Sequence, residues 1–171
     1  FIKHLGEVCQ KIHNKLTGGK EKILLEYDRD VGYDSYLTEL AKKRQKDLKY
    51  STTTVGPHRD DISFIVNGID IRKYGSQGQQ RTAALSLKLA QIQLMREVMK
   101  ESPILLLDDV LSELDSNRKT YLLESIKDTQ TIITCTGLDD FISHSFQIDK
   151  TFRVVSGTVT CERPNKTTSQ T

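Results

Sequence analysis

Apolar residues recur at Ile2, Leu5, Val8, Cys9, Ile12 and Leu16, the three-and-four spacing of one helical face, with Lys3, Glu7, Gln10, Lys11 and Lys15 elsewhere. This predicts a helix over residues 1–16, closed by Thr17-Gly18-Gly19, where glycines can take the left-handed cap. The apolar centre of residues 21–27 predicts a short strand, and residues 28–32 a turn. A second helix is expected over 35–49, with Leu37, Leu40, Ala41, Arg44 and Leu48 on one side and a basic opposite side of Lys42, Lys43, Arg44, Lys46 and Lys49. β-Forming residues then take over. Residues 51–55 lead into Gly56-Pro57-His58-Arg59-Asp60-Asp61, and the apolar alternations at 62–66 and 69–71 flank Asn67-Gly68. That pair signals a hairpin, because both residues tolerate the positive φ of a type I′ turn.

From residue 79 to about 100 the pattern is nearly apolar all round (Leu85, Leu87, Leu89, Ala90, Ile92, Leu94, Met95, Val98, Met99), which predicts a helix that is buried or sandwiched between lobes. Pro103 opens the run Ile104-Leu105-Leu106-Leu107, whose lack of alternation marks a strand covered on both faces of a parallel sheet. Asp115 or Ser116 can cap a helix through about 127, and residues 131–135 read as a second buried strand. Strand, helix and strand make one right-handed crossover. Residues 151–155 and 158–162 around Ser156-Gly157 predict a terminal hairpin, and the polar stretch from Pro164 a disordered tail.

A chain of 171 residues can bury one sizeable core, or one large lobe with an appendage. Phe1 is not an initiator methionine and the first residues read as mid-helix, so a longer parent protein is expected. The 25 basic and 23 acidic residues leave +2, too near balance for a global field that attracts nucleic acid. DNA contact would be local, and Lys42, Lys43, Lys46 and Lys49 are the candidates. Such a helix face is ordinarily just solvated; the sharper reading is a phosphate-backbone track with salt-sensitive affinity. Cys9, Cys135 and Cys161 are odd in number and widely spaced, suggesting neither a disulfide framework nor a zinc site and fitting a reducing cytoplasm. No apolar stretch approaches the roughly 20 residues of a membrane helix, so no membrane partner is expected.

Two segments carry candidate chemistry. Tyr74-Gly75-Ser76-Gln77-Gly78-Gln79-Gln80-Arg81 opens a helix, so free N–H groups and the positive end of the dipole face whatever lies ahead; Ser76 adds a hydroxyl, and Gly78 permits close approach by a phosphate. An ordinary loop and N-cap is the plain alternative. Asp108 and Asp109 follow the apolar run, at the strand end where open parallel sheets bind ligands. The first carboxylate of such a pair suits magnesium held through water, and the second can polarise an attacking water. Alternatively the pair merely ends the strand and caps a turn. No G-x-x-x-x-G-K-[ST] phosphate loop occurs, so these residues alone do not complete a nucleotide site.

Gly75 to Arg81, Ile104 to Asp109 and Ser112-Glu113-Leu114-Asp115 resemble the signature motif, Walker B segment and D-loop of ABC-type ATPase heads. Gly56 to Asp61, and Asp109 where Glu is commoner, resemble the RecF family of bacterial recombination mediators within that superfamily. The resemblance spans about the whole chain. It implies an α/β fold, the C-terminal half of an ABC-type P-loop NTPase head with part of a helical arm lobe. The organisation it implies is a partial arm lobe over 1–50, a hairpin with signature segment and signature helix over 51–100, a C-terminal ATPase lobe over 101–163, and a tail over 164–171. ATP and Mg²⁺ are the implied cofactors, in a homodimer that forms on ATP. There Asp108 would organise the metal through water, Asp109 would act as base, and Ser76, Gln77, Gly78 and Gln79 would clasp the γ-phosphate in trans. Ser112, Glu113, Leu114 and Asp115 would communicate across the dimer.

The switch position, usually His, falls near Thr136, a departure that fits slow hydrolysis. The resemblance further implies binding to DNA gaps and single-strand/double-strand junctions, work with RecO and RecR in loading RecA, and support of replication restart and the SOS response. The 171 residues alone are expected to be inactive. An SMC-like chromosome ATPase head and a nucleotide-independent interaction module are the competing readings. His58, beside Arg59, reads as structural or superficial, and His4, His13 and His144 carry no pattern.

Overall fold

The computed structural model describes residues 1–137 and 146–162. The expected tail and His144 lie outside the described residues. The chain divides into two compact units, Phe1–Pro103 and Ile104–Thr171.

In the first unit, helix α1 (Ile2–Leu16) buries Leu5, Val8, Cys9, Ile12, His13 and Leu16 on one face. Burial pushes the Cys9 thiol up to about 12, which leaves it a small apolar filler. The helix ends in a Schellman arrangement: Gly18 N–H donates to Lys15 O (3.3 Å) and Gly19 N–H to Asn14 O (2.8 Å). Gly18 has φ +61°, where a side chain would be strained. Strand β1 (Ile23–Asp28) pairs antiparallel with β2 (Asp61–Val66), which pairs with β3 (Ile69–Asp70). Asn67 and Gly68 link the last two with φ +50° and +83°, the type I′ signs expected of that dipeptide. The sheet thus joins strands from both sides of residue 50. Short helix α3 (Ile71–Tyr74) then delivers the chain to α4 (Gln77–Met99), which packs against α1 and buries Thr82, Ala83, Leu85, Ser86, Leu89, Ala90, Ile92 and Leu94. Its apolar character is not uniformly covered, since Met95, Val98 and Met99 near its end are exposed.

Helix α2 (Tyr36–Tyr50) carries its apolar side without packing it into a core. None of its residues is buried, and Leu37 and Leu48 are 75% and 72% exposed. Its apolar positions are too few and too interrupted by lysine and arginine to make a continuous stripe, and stripes of that kind are what dock a helix. The β-forming residues after it form no strand either. Ser51 caps α2 with φ +50°, and the Asp47 carboxylate accepts from the Thr54 N–H (3.2 Å) and hydroxyl (2.6 Å), so side-chain bonds replace a ladder.

The second unit is built on β4 (Leu105–Asp108) and β5 (Thr131–Thr134), parallel neighbours with α5 (Ser116–Ser125) between them in sequence. Leu105, Leu107, Leu111, Leu114, Leu122, Leu123 and Ile126 are its buried apolar positions. Coverage of β4 on both faces is not observed: burial alternates, Leu106 is 70% exposed, and Ile132 opposite it on β5 is exposed too. A strand shows two-sided burial only where a layer lies on each face, and the described residues of this unit supply one. Strands β6 (Thr151–Val155) and β7 (Thr158–Glu162) form the terminal hairpin, turning at Ser156 and Gly157 with φ +47° and +77°. Among the described residues no helix is long and apolar enough to cross a membrane.

Candidate functional site

Ser76 is the N-cap of α4, in extended conformation, and its hydroxyl oxygen accepts from the Gln79 N–H at 3.2 Å while Gln79 Oε1 accepts from the Ser76 N–H at 3.1 Å. This capping box satisfies two otherwise orphaned donors and fixes where the helix begins. Gly75, just before it, is demanded by space: a Cβ there would lie 2.6 Å from both the carbonyl oxygen and the Cβ of Ile71. Gly78 differs. Among the described residues of its unit, a Cβ at Gly78 would meet only the Ser76 hydroxyl at 4.0 Å, so no packing there requires a glycine in this first turn. In a helix, glycine there costs about 1 kcal/mol relative to alanine. Ser76, Gln77 and Gly78 are exposed and Gln79 is half-buried.

Behind this exposed turn lies a polar layer that the sequence reading missed. Gln79 Nε2 donates to Glu21 Oε1 (3.0 Å), Glu21 Oε2 lies 3.2 Å from His13 Nε2, and His13 Nδ1 lies 2.9 Å from Ser86 Oγ. Ser86 donates its hydroxyl to Thr82 O, and Thr82 donates to Gly78 O, both at 2.7 Å. His13 and Ser86 are fully buried. The four-residue spacing of Thr82, Ser86 and Ala90 along α4 was the available signal, masked by the leucines between them.

At the other candidate, Asp108 is the last residue of β4 and is exposed. Its Oδ1 accepts from the Thr134 hydroxyl at 2.5 Å, across the parallel pair in which these two residues are partners. Asp109 has φ +47°, a left-handed conformation costing about 1–2 kcal/mol for a residue with a Cβ. Thr134 holds it there, its carbonyl (3.2 Å) and hydroxyl (3.0 Å) both accepting from the Asp109 N–H. Thr134 is therefore the residue that organises both acids, two positions before the Thr136 at which a switch residue is expected; Thr136 itself is exposed. A four-residue 3-10 turn, Val110–Glu113, follows. Ser112 donates to Asp109 O (2.8 Å), Leu114 is buried, and Asp115 caps α5 by accepting from the Arg118 N–H at 3.0 Å. These four residues form one tight connection from the acids to the helix. Among the described residues no three His, Cys, Asp or Glu side chains converge as a direct metal cage would require.

Lys42, Lys43, Lys46 and Lys49 are exposed on α2, and Lys42 pairs with Glu39 at 2.6 Å. The Gly56 to Asp61 segment is strapped to the end of β1. Gly56 N–H donates to Asp30 Oδ2 (3.1 Å), Asp30 N–H donates to Asp60 Oδ1 (2.9 Å), and the Tyr27 hydroxyl bonds the other Asp60 oxygen. His58 Nε2 lies 2.8 Å from Thr53 O, a contact that holds the loop.

No protein-family profile matches the chain. The DNA replication and repair protein RecF of Agathobacter rectalis is 58% identical over 159 residues, covering 93% of this chain and 44% of that protein. The protein of the same name from Lachnospira eligens is 54% identical, with 95% and 45% covered. Among solved structures, the recombination mediator protein RecF with ATP matches with a TM-score of 0.73 at 37% identity, over 94% of this chain and 45% of that one. An SMC head bound to the winged-helix domain of ScpA matches with a TM-score of 0.57 at 16% identity, a likeness of fold alone.

This structural likeness defines an α/β chain with the fold of the ABC-type ATPase heads. Within that class it belongs to the RecF family and corresponds to the C-terminal part of its proteins. It spans about 44% of the length of the first of these curated relatives.

Proposed function

We propose that the protein containing this chain is a RecF-like mediator of DNA repair and recombination, an ABC-type ATPase whose heads pair over ATP. The observation that carries the reading is Gly78. It lies in an exposed, firmly capped first turn of α4, is not demanded by any contact with the described residues of its own unit, and leaves room for an outside group to reach the helix N-terminus. In this reading Ser76, Gln77, Gly78 and Gln79 serve the γ-phosphate bound by the other subunit. Ser112 to Asp115 relay the state of one head to the other. The residues present suit a hydrated Mg²⁺: Asp108 offers oxygen donors at an exposed strand end, oriented by the Thr134 hydroxyl. When bound, the metal would neutralise charge on the phosphates. Asp109, fixed in its strained conformation by Thr134, then acts as the base that orients water, and Thr136 occupies the switch position without an imidazole.

The reading extends to binding of gapped or junction DNA, with Lys42, Lys43, Lys46 and Lys49 as backbone contacts. It also extends to RecO and RecR as partners in loading RecA, to replication restart and the SOS response, and to a cytoplasmic setting. The curated relatives' role in replication and repair supports this class of activity. Asp109→Asn in the intact protein tests it: steady-state ATP hydrolysis should fall by about 100-fold or more while ATP-dependent dimerisation persists. Hydrolysis at the wild-type rate would remove Asp109 from the base role.

A further inference from the structure

The polar layer beneath the first turn of α4 is centred on one buried pair. His13 Nδ1 lies 2.9 Å from Ser86 Oγ, whose hydroxyl donates to Thr82 O, and His13 Nε2 lies 3.2 Å from Glu21 Oε2. His13 is fully buried and the Glu21 side chain is only 20% exposed, so each ring nitrogen depends on its partner.

This pair is bonded to nothing idle. The remaining Glu21 oxygen receives the Gln79 amide, whose own oxygen closes the capping box on Ser76. From the other side, His13 reaches Gly78 O through Ser86 and Thr82. Two routes thus run from the His13–Glu21 pair to this turn, one to the Gln79 amide and one to Gly78 O, and both stay inside the first unit. Left to itself, a glutamine on the first turn of an exposed helix end samples several rotamers, and ordering it costs conformational entropy. Here Glu21 holds it.

We infer that His13 and Glu21 are positioning residues for the phosphate-facing turn of α4: through Gln79 and Gly78 they fix the geometry that the proposed partner-subunit nucleotide meets. The inference rests on the reading of this turn as a trans nucleotide site. It predicts that Glu21 matters as a hydrogen-bonding bridge between Gln79 and His13 and not for its charge. A glutamine at position 21 can accept from Gln79 with its oxygen and donate from its amide to a neutral His13, restoring both contacts without a carboxylate.

The test uses the intact protein, measuring ATP-driven dimerisation by sedimentation and ATP binding to the dilute monomer. Glu21→Ala should weaken dimerisation by about tenfold, and Glu21→Gln should stay within about twofold of wild type, with monomer ATP affinity unchanged in both. Wild-type dimerisation in Glu21→Ala, or equal defects in the two variants, overturns the inference. Should Glu21→Ala fail to fold, Ser86→Ala, which deletes one hydroxyl, carries the same test: weakened dimerisation supports the inference and wild-type dimerisation overturns it. Ser76→Arg separates the two levels. If Ser76→Arg dimerises normally, the nucleotide site itself is misassigned; if it is dead while Glu21→Ala is normal, only the positioning role fails.

Discussion

Ser76 and Asp108 stand at the two ends where chemistry is expected, in opposite settings. Ser76 opens a helix whose first turn is backed by the chain's own Glu21, His13, Thr82 and Ser86, in bonds that never leave the first unit. Asp108 closes a strand with one face open, oriented by a single hydroxyl from its neighbouring strand. The difference teaches that the helix start is braced by side chains of its own unit brought together by packing, whereas the acid pair belongs to a sheet that the described residues of its unit cover on one side.

The contrast can be broken most severely in β4. Leu107→Ala removes a buried side chain and should cost about 2–5 kcal/mol in chemical denaturation of the intact protein. Leu106→Ala sharpens the point. A strand apolar at every position is stable where both faces are covered, so in the intact protein we expect Leu106→Ala to cost more than about 0.5 kcal/mol. A smaller cost would show that this face stays open. Next in size are the two caps. Ser76→Ala and Asp115→Ala each lose a side-chain acceptor for a first-turn N–H and should each cost about 1 kcal/mol by the same measurement. A much larger loss for Ser76 would mean that the layer behind it collapses with the cap.

The smallest effect is at the loop strapped to β1. The Tyr27 hydroxyl and then the Asp30 N–H hold the Asp60 carboxyl below its ordinary 3.8, and the same bond holds the Tyr27 hydroxyl above its ordinary 10.0. For a depressed carboxyl the stabilisation is complete above the ordinary value and is lost as pH falls through the lowered one. Loosening of Gly56 to Asp60 should therefore begin only below about pH 3.8, followed by NMR titration of the Asp60 carboxyl. A midpoint at or above 3.8 would show that the strap contributes nothing in solution.

Much of the local architecture was legible along the chain. The α1 stripe, the Gly18-Gly19 stop, the Asn67-Gly68 turn and the Ser76 cap are each specified within a few residues, because periodicity, capping and positive φ are short-range matters. The acids and the capped turn were legible as candidates for the same reason. Helix α2 shows the limit. It is as long as α1 and carries its leucines at helical spacing, yet buries none of them. Spacing says which side chains share a face, not whether anything packs on it.

Local order therefore belongs to the sequence by itself: where helices start and stop, which dipeptides turn, and that a glycine-bearing helix start precedes a strand ending in two acids. The tertiary structure alone decided that a patternless histidine became the centre of the buried layer, since His13 and Ser86 are 73 positions apart. It alone made Thr134 the holder of both acids. Hydrogen bonds between distant side chains exist only after packing has brought their elements together, and no window of residues contains that information.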